Sequence, residues 1–102
     1  MNRFAYTLCH EKSCDRKLKA GPITYMGGHG KHEGGWVWRM PDEAQAFLER
    51  GYIGPDGHFH DLKEFAVYVV VLPDSWEEDV VPSELYPYHV LRHGAWIHWK
   101  YG

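Results

Sequence analysis

The chain has 102 residues, 44% hydrophobic, 16% aromatic and 25% charged, with two cysteines, eight histidines and a formal net charge of −3. A chain of this mass buries about 65% of its unfolded surface, which suits a single domain with one ordinary core. Its apolar content excludes a disordered chain, no stretch approaches the roughly 20 apolar residues of a membrane helix, and residues 1–8 lack a secretory leader's pattern, so a cytoplasmic protein is expected.

Residues 3–9 are rich in strand formers and place Phe4, Tyr6 and Leu8 on one side. Residues 11–20 read as a short helix, with Cys14 and Leu18 four apart, Lys17 and Lys19 in its last turn and Gly21-Pro22 as its stop. Residues 23–26 make a brief strand, and 27–35, five of them glycine, a loop. Residues 36–40 resume strand character, with Trp36 and Trp38 on the same face. The main helix is residues 41–50: Pro41 suits its first position, Asp42 and Glu43 complement its dipole, Ala44, Phe47 and Leu48 form an apolar stripe, and Gly51 ends it.

Residues 51–61 contain Gly-Pro-Asp-Gly and read as a turn region. Residues 65–72 are almost continuously apolar and β-branched, as in a strand covered on both faces at the centre of a sheet. Pro73 ends it, and Ser75 with Glu78 has capping-box spacing for one or two helical turns. Pro82 and Pro87 prevent a long helix afterwards, and residues 95–101 alternate apolar with polar side chains as a last strand with one solvated face. This order predicts an α+β domain: a four- or five-stranded mixed or antiparallel sheet, the helix 41–50 on one face, and one or two short helices.

Charge is uneven. Residues 1–39 carry seven Lys/Arg against three Asp/Glu, whereas 40–83 carry two against ten. The overall sign argues against general nucleic-acid binding, but the basic first third, including Lys12, Arg16 and Lys31, suits an anion or phosphate if folding gathers it; the alternative is a solvated helix face. Cys9 and Cys14 read as reduced thiols, because two cysteines five apart close little chain entropy.

The glycine segment departs from the phosphate-binding loop pattern: Lys31 is followed by His32, and a strand rather than a helix comes next. It presents His29 and Lys31 either as a ligand lid or as a plain hairpin loop. The histidine pairs and Cys9, Cys14, His58 and His60 offer zinc donors, but in no standard finger spacing, so exposed loop histidines are the default and no cofactor is expected. Eight histidine protonations carry the charge from −3 to +5, which predicts pH-dependent solubility or binding between about pH 5.5 and 7. No nucleophile elbow surrounds Ser83, and Cys9 next to His10 on a strand points the other way, so a catalytic thiol or serine is not expected.

In element order the chain resembles the minimal ADP-ribosyltransferase-like fold. The resemblance rests on the strand Tyr6-Thr7-Leu8-Cys9-His10 with Ser13, a short helix and Gly21-Pro22-Ile23, then on Trp36-Val37-Trp38 feeding Pro41-x-Glu43-Ala44-x2-Phe47, and on the strand from Ala66 to Pro73. It covers about 70 residues with motifs of low specificity, and the family's full acidic signature is missing. The resemblance implies NAD as a ligand, His10 on the dinucleotide ribose, Tyr25 or Trp36 on the nicotinamide, and Glu84 as the catalytic acid.

Five Trp and seven Tyr are more than so small a core readily encloses. Trp and Tyr dominate interface hot spots, so Trp76, Tyr86, Tyr88, Trp96 and Trp99 are candidate partner contacts. The leading expectation is an accessory protein that binds another macromolecule, a protein above all, through an aromatic and charged surface. The alternatives are a small nucleotide-binding protein using His10, Lys12, Arg16, Tyr25, His29, Lys31 and Trp36, and a zinc module.

Overall fold

The β-branched run at residues 65–71 forms the strand around which the rest is arranged. A computed structural model of the chain describes residues 4–25, 35–53, 57–72, 80–82, 89–91 and 95–102. In chain order these form β1 (Phe4–His10), α1 (Glu11–Leu18), β2 (Ile23–Tyr25), β3 (Gly35–Val37), α2 (Pro41–Arg50), β4 (Tyr52–Ile53), β5 (Phe59–His60), β6 (Phe65–Val71), β7 (Val80–Pro82), β8 (His89–Leu91) and β9 (Ala95–Lys100). The expected short helix near Ser75 and most of the glycine segment lie outside the described residues.

Strands β1, β6, β9 and β2 form a four-stranded antiparallel sheet in that order, within the expected size. Strand β6 is internal and carries five consecutive buried residues, Ala66 to Val70. Strands β3, β8 and β7 form a second antiparallel sheet. Its β3 end meets β1 through a two-bond bridge: Tyr6 N–H donates to Trp38 O at 2.9 Å, and Trp38 N–H to Tyr6 O at 2.8 Å. The Thr7 hydroxyl, 1% exposed, donates to Trp36 O at 2.7 Å and closes the same seam. A buried hydroxyl therefore keeps a partner.

Helices cover both faces. On one, Cys14 and Leu18 of α1 pack with Ala5, Cys9, Ala66, Tyr68, Val70 and Ile97. On the other, Ala44, Phe47 and Leu48 of α2 pack with Tyr6, Leu8, Trp36, Trp38, Phe65 and Val67. Alternate residues of β1 and β6 divide between these two clusters, which is the period-two rule acting on a strand covered on both sides. Each fully buried aliphatic side chain here, Val70 or Ile97 for example, contributes about 1.5–3 kcal/mol of transfer free energy.

Helix α2 has the expected bounds. Pro41 sits in its first turn with Asp42 and Glu43, Arg50 in its last, and Gly51 N–H closes it on Phe47 O at 3.0 Å. Gly51 has φ 84° and ψ −178°, a region essentially restricted to glycine, and an added Cβ would lie 2.5 Å from the Phe59 ring. The turn region expected over 51–61 instead contains the hairpin β4–β5, whose Tyr52 stacks on His60 with centroids 5.4 Å apart. Strands of two or three residues, such as β4, β5, β7 and β8, are too short to show a period in sequence.

Candidate functional site

Helix α2 packs over the Tyr6, Leu8, Phe65 and Val67 part of its sheet face, and exposed aromatic rings gather toward the other end of that face. Phe4 opens β1 there, opposite Val71, and Val71 in turn lies opposite Trp96. Trp99 lies opposite Val69. Trp96 and Trp99 are three residues apart and would point to opposite faces of a regular strand. The register between β6 and β9 shifts at Val69/Val70, so that Trp99 pairs with Val69 but Ile97 with Val70, and His98 is left as the extra residue of a bulge. Both tryptophans therefore join the Phe4 face, and Ile97 turns into the α1 core.

Phe4, Trp96, Trp99 and Tyr101 are 38%, 51%, 46% and 48% exposed. The rings meet edge to face: Phe4 on Trp99 at 5.6 Å and 76°, and Tyr6 on Tyr101 at 5.6 Å and 83°. Strands β1, β6 and β9 contain one Lys or Arg and no Asp or Glu. That cation, Lys100, lies opposite Tyr68, on the α1 face, and its ammonium donates to Glu11 Oε2 at 2.6 Å and Asp15 Oδ2 at 3.2 Å. The aromatic face thus carries no Lys, Arg, Asp or Glu from its own three strands.

The α1 face holds the tightest polar cluster. Tyr68, fully buried, donates its hydroxyl to Asp15 Oδ1 at 2.6 Å, with Glu11 O 3.2 Å away. Donation from Tyr68, then Lys100, holds the Asp15 carboxyl below the usual range, and Lys100 is raised, mainly by Glu11. Burial pushes the Tyr68 phenol up, with Asp15 adding to the effect. Beside it the Cys9 thiol is pushed up to about 12, first by burial and then by Cys14. Both cysteines are free thiols, as the sequence predicts.

Of the residues singled out in sequence, Trp96 and Trp99 are exposed together, whereas Trp76, Glu84, Tyr86 and Tyr88 lie outside the described residues. His29 and Lys31 do as well, and Tyr25 is described only as backbone of β2. His10 ends β1, with its Nε2 3.3 Å from Glu64 Oε2 and its ring edge-on to Phe65. Lys12 and Arg16 are exposed on α1. Trp36 lies on the α2 side against Tyr52 at 4.8 Å and Phe47 at 6.3 Å. Cys9 and Cys14 likewise sit on the α1 side and His60 against Tyr52, so the sheet and its packing separate these two sets of donors. No group of three His, Cys, Asp or Glu among the described residues is placed to hold a metal ion.

Phe4 and Tyr101 are the contributors that sequence reasoning missed. Phe4 reads as one more apolar residue of a strand, and Tyr101 as its end. A separate open cleft of about 270 Å³ is lined by Trp38, Glu43, Ala46, Phe47 and Arg50, with the Arg50 guanidinium 5.4 Å over the Phe47 ring. No described helix is long and apolar enough to cross a membrane. No protein-family model, curated protein or solved structure matches the chain.

Proposed function

We propose that this chain is an accessory protein that binds another macromolecule, with Phe4, Trp96, Trp99 and Tyr101 as the contact face. The observation that carries the reading is the bulge at His98, which brings two half-exposed tryptophans onto one face beside Phe4. Leaving several large rings in water forgoes burial free energy that the core would otherwise gain. Aromatic side chains in this arrangement are the usual anchors of binding hot spots. The test compares capture from source lysate by the full chain and by the Trp96→Ala/Trp99→Ala variant, with circular dichroism to check folding. Partner retention is expected to fall at least about tenfold, the effect of losing one to two hot-spot contacts. Equal retention by a folded variant overturns the reading.

A nucleotide-handling reading rests on a different observation, His10 standing where β1 ends and α1 begins, as the ADP-ribosyltransferase-like resemblance requires. NAD or ADP-ribose at 100 times its dissociation constant would add about 2.7 kcal/mol to stability. A thermal-shift titration that moves in the wild type and not in His10→Ala supports it, and the absence of any shift removes it.

A further inference from the structure

We infer that the occupant of the aromatic face is a short, uncharged, proline-rich segment in the polyproline II conformation; this rests on the binding reading above. Area argues first. Four aromatic side chains, each burying about 150–250 Å² when fully covered and here about half exposed, offer on the order of 400 Å². A stable complex of two globular surfaces needs about 800 Å² from each partner. The four rings alone offer about half of that, which matches a narrow ligand.

Charge argues next. A single-stranded nucleic acid requires cations along its phosphates. The three strands of the face supply only Lys100, which lies on the opposite side in contact with Glu11 and Asp15. Among the described residues, His98, whose ring meets Trp99 edge-on at 5.9 Å, and the phenols of Tyr101 and its neighbour Tyr6 are the titratable side chains on or beside the face. Over these three strands an uncharged ligand gives up no ionic solvation, whereas a charged one meets no Lys, Arg, Asp or Glu of theirs on that side to pair with.

Ring geometry narrows the class. Phe4 and Trp99 stand at 76°, and Tyr101 stands at 83° to the half-buried Tyr6, which makes a ridged surface with notches between faces and edges. Puckered proline rings fit such notches. A polyproline II helix has no internal hydrogen bonds, loses little entropy on docking, and turns unpaired carbonyls outward. The indole N–H groups of Trp96 and Trp99 and the Tyr101 hydroxyl are donors suited to those carbonyls.

The experiment titrates decaproline into the full chain and follows tryptophan emission, with a glycine-serine decapeptide and oligouridine as parallel probes. Saturable binding of decaproline alone is expected, weakened at least about tenfold by Trp99→Ala and by Tyr101→Ala, each checked for folding by circular dichroism. No saturation by about 1 mM, the weak limit of useful affinity, overturns the inference. So does equal binding of either control peptide or oligouridine, or self-association in sedimentation that Trp99→Ala abolishes. If decaproline fails while lysate capture still depends on Trp96 and Trp99, the ligand class falls and the binding face stands. If both fail, the face falls as well.

Discussion

Replacing Tyr68 by Phe removes one buried hydroxyl and leaves the ring in place. In the wild type that hydroxyl donates to Asp15 at 2.6 Å and ties α1 to the central strand β6. A hydrogen bond to a charged group contributes about 1.5–3 kcal/mol, and a carboxylate that is 42% exposed recovers part of this from water once the phenol is gone. The expected cost of Tyr68→Phe is therefore about 1–2 kcal/mol, or a fall in Tm of roughly 5–12 °C for a domain of this length. Lys100 keeps its contacts with Glu11 and Asp15, so α1 stays docked.

The pH dependence separates this hydrogen bond from simple packing. Asp15 is lowered in the fold, so its contribution is complete above about pH 4, where the unfolded carboxyl is ionised, and is lost as pH falls through the lowered value. Tyr68 is raised, so its contribution is complete below about pH 10, where the unfolded phenol begins to ionise, and is lost as pH rises toward the folded value. The difference between wild type and Tyr68→Phe should form a plateau between about pH 5 and 9 and shrink at both ends. Urea midpoints across pH 2.5–11 measure it (an assay range of about this width brackets both transitions). A difference that stays constant at every pH refutes the role assigned to the Tyr68–Asp15 bond.

Cys9, with its thiol pushed up to about 12, should be about a thousandfold less thiolate at pH 8 than an ordinary cysteine. Mass spectrometry of iodoacetamide labelling should find it protected in the native chain and labelled at the normal rate in urea; fast native labelling contradicts the assigned burial. Deleting His98 should leave Trp99 opposite Val69 and Ile97 opposite Val70 as consecutive regular pairs, at a cost below about 1.5 kcal/mol. A variant that folds with Trp99 emission shifted to a buried wavelength would show that the bulge lies elsewhere.

The elements readable in sequence were those with a long enough period or a strong enough boundary. Helix α2 opens on Pro41, is followed by Gly51 and carries an apolar stripe, and β6 is a seven-residue apolar run with four valines. The placement of Trp36 and Trp38 on one face follows from alternation alone, and both join the α2 cluster. Gly51 reads in sequence as a helix stop, yet the ring of Phe59 also fills the space that a Cβ there would need, a contact made only once β4 and β5 pair. The hairpin has two residues per strand, and its Tyr52–His60 stack compensates for what so short a ladder lacks.

That Trp96 and Trp99 share one face was hidden for a related reason. Alternation applied to residues 95–101 puts Trp96 and Trp99 on opposite faces, one with Ile97's core neighbours and one in solvent. Whether a strand is regular depends on its partner, and the extra residue at His98 arises only because β9 must match both Val69 and Val70 of β6. Ile97, at 1% exposed, enforces that match, since shifting β9 by one residue would remove it from the α1 core at a cost of about 2–5 kcal/mol, comparable to truncating it to alanine. The burial of one aliphatic side chain therefore sets the direction of the two tryptophans on either side of it. A face built in this way is legible only after the register is known, even though every residue in it is visible in the sequence.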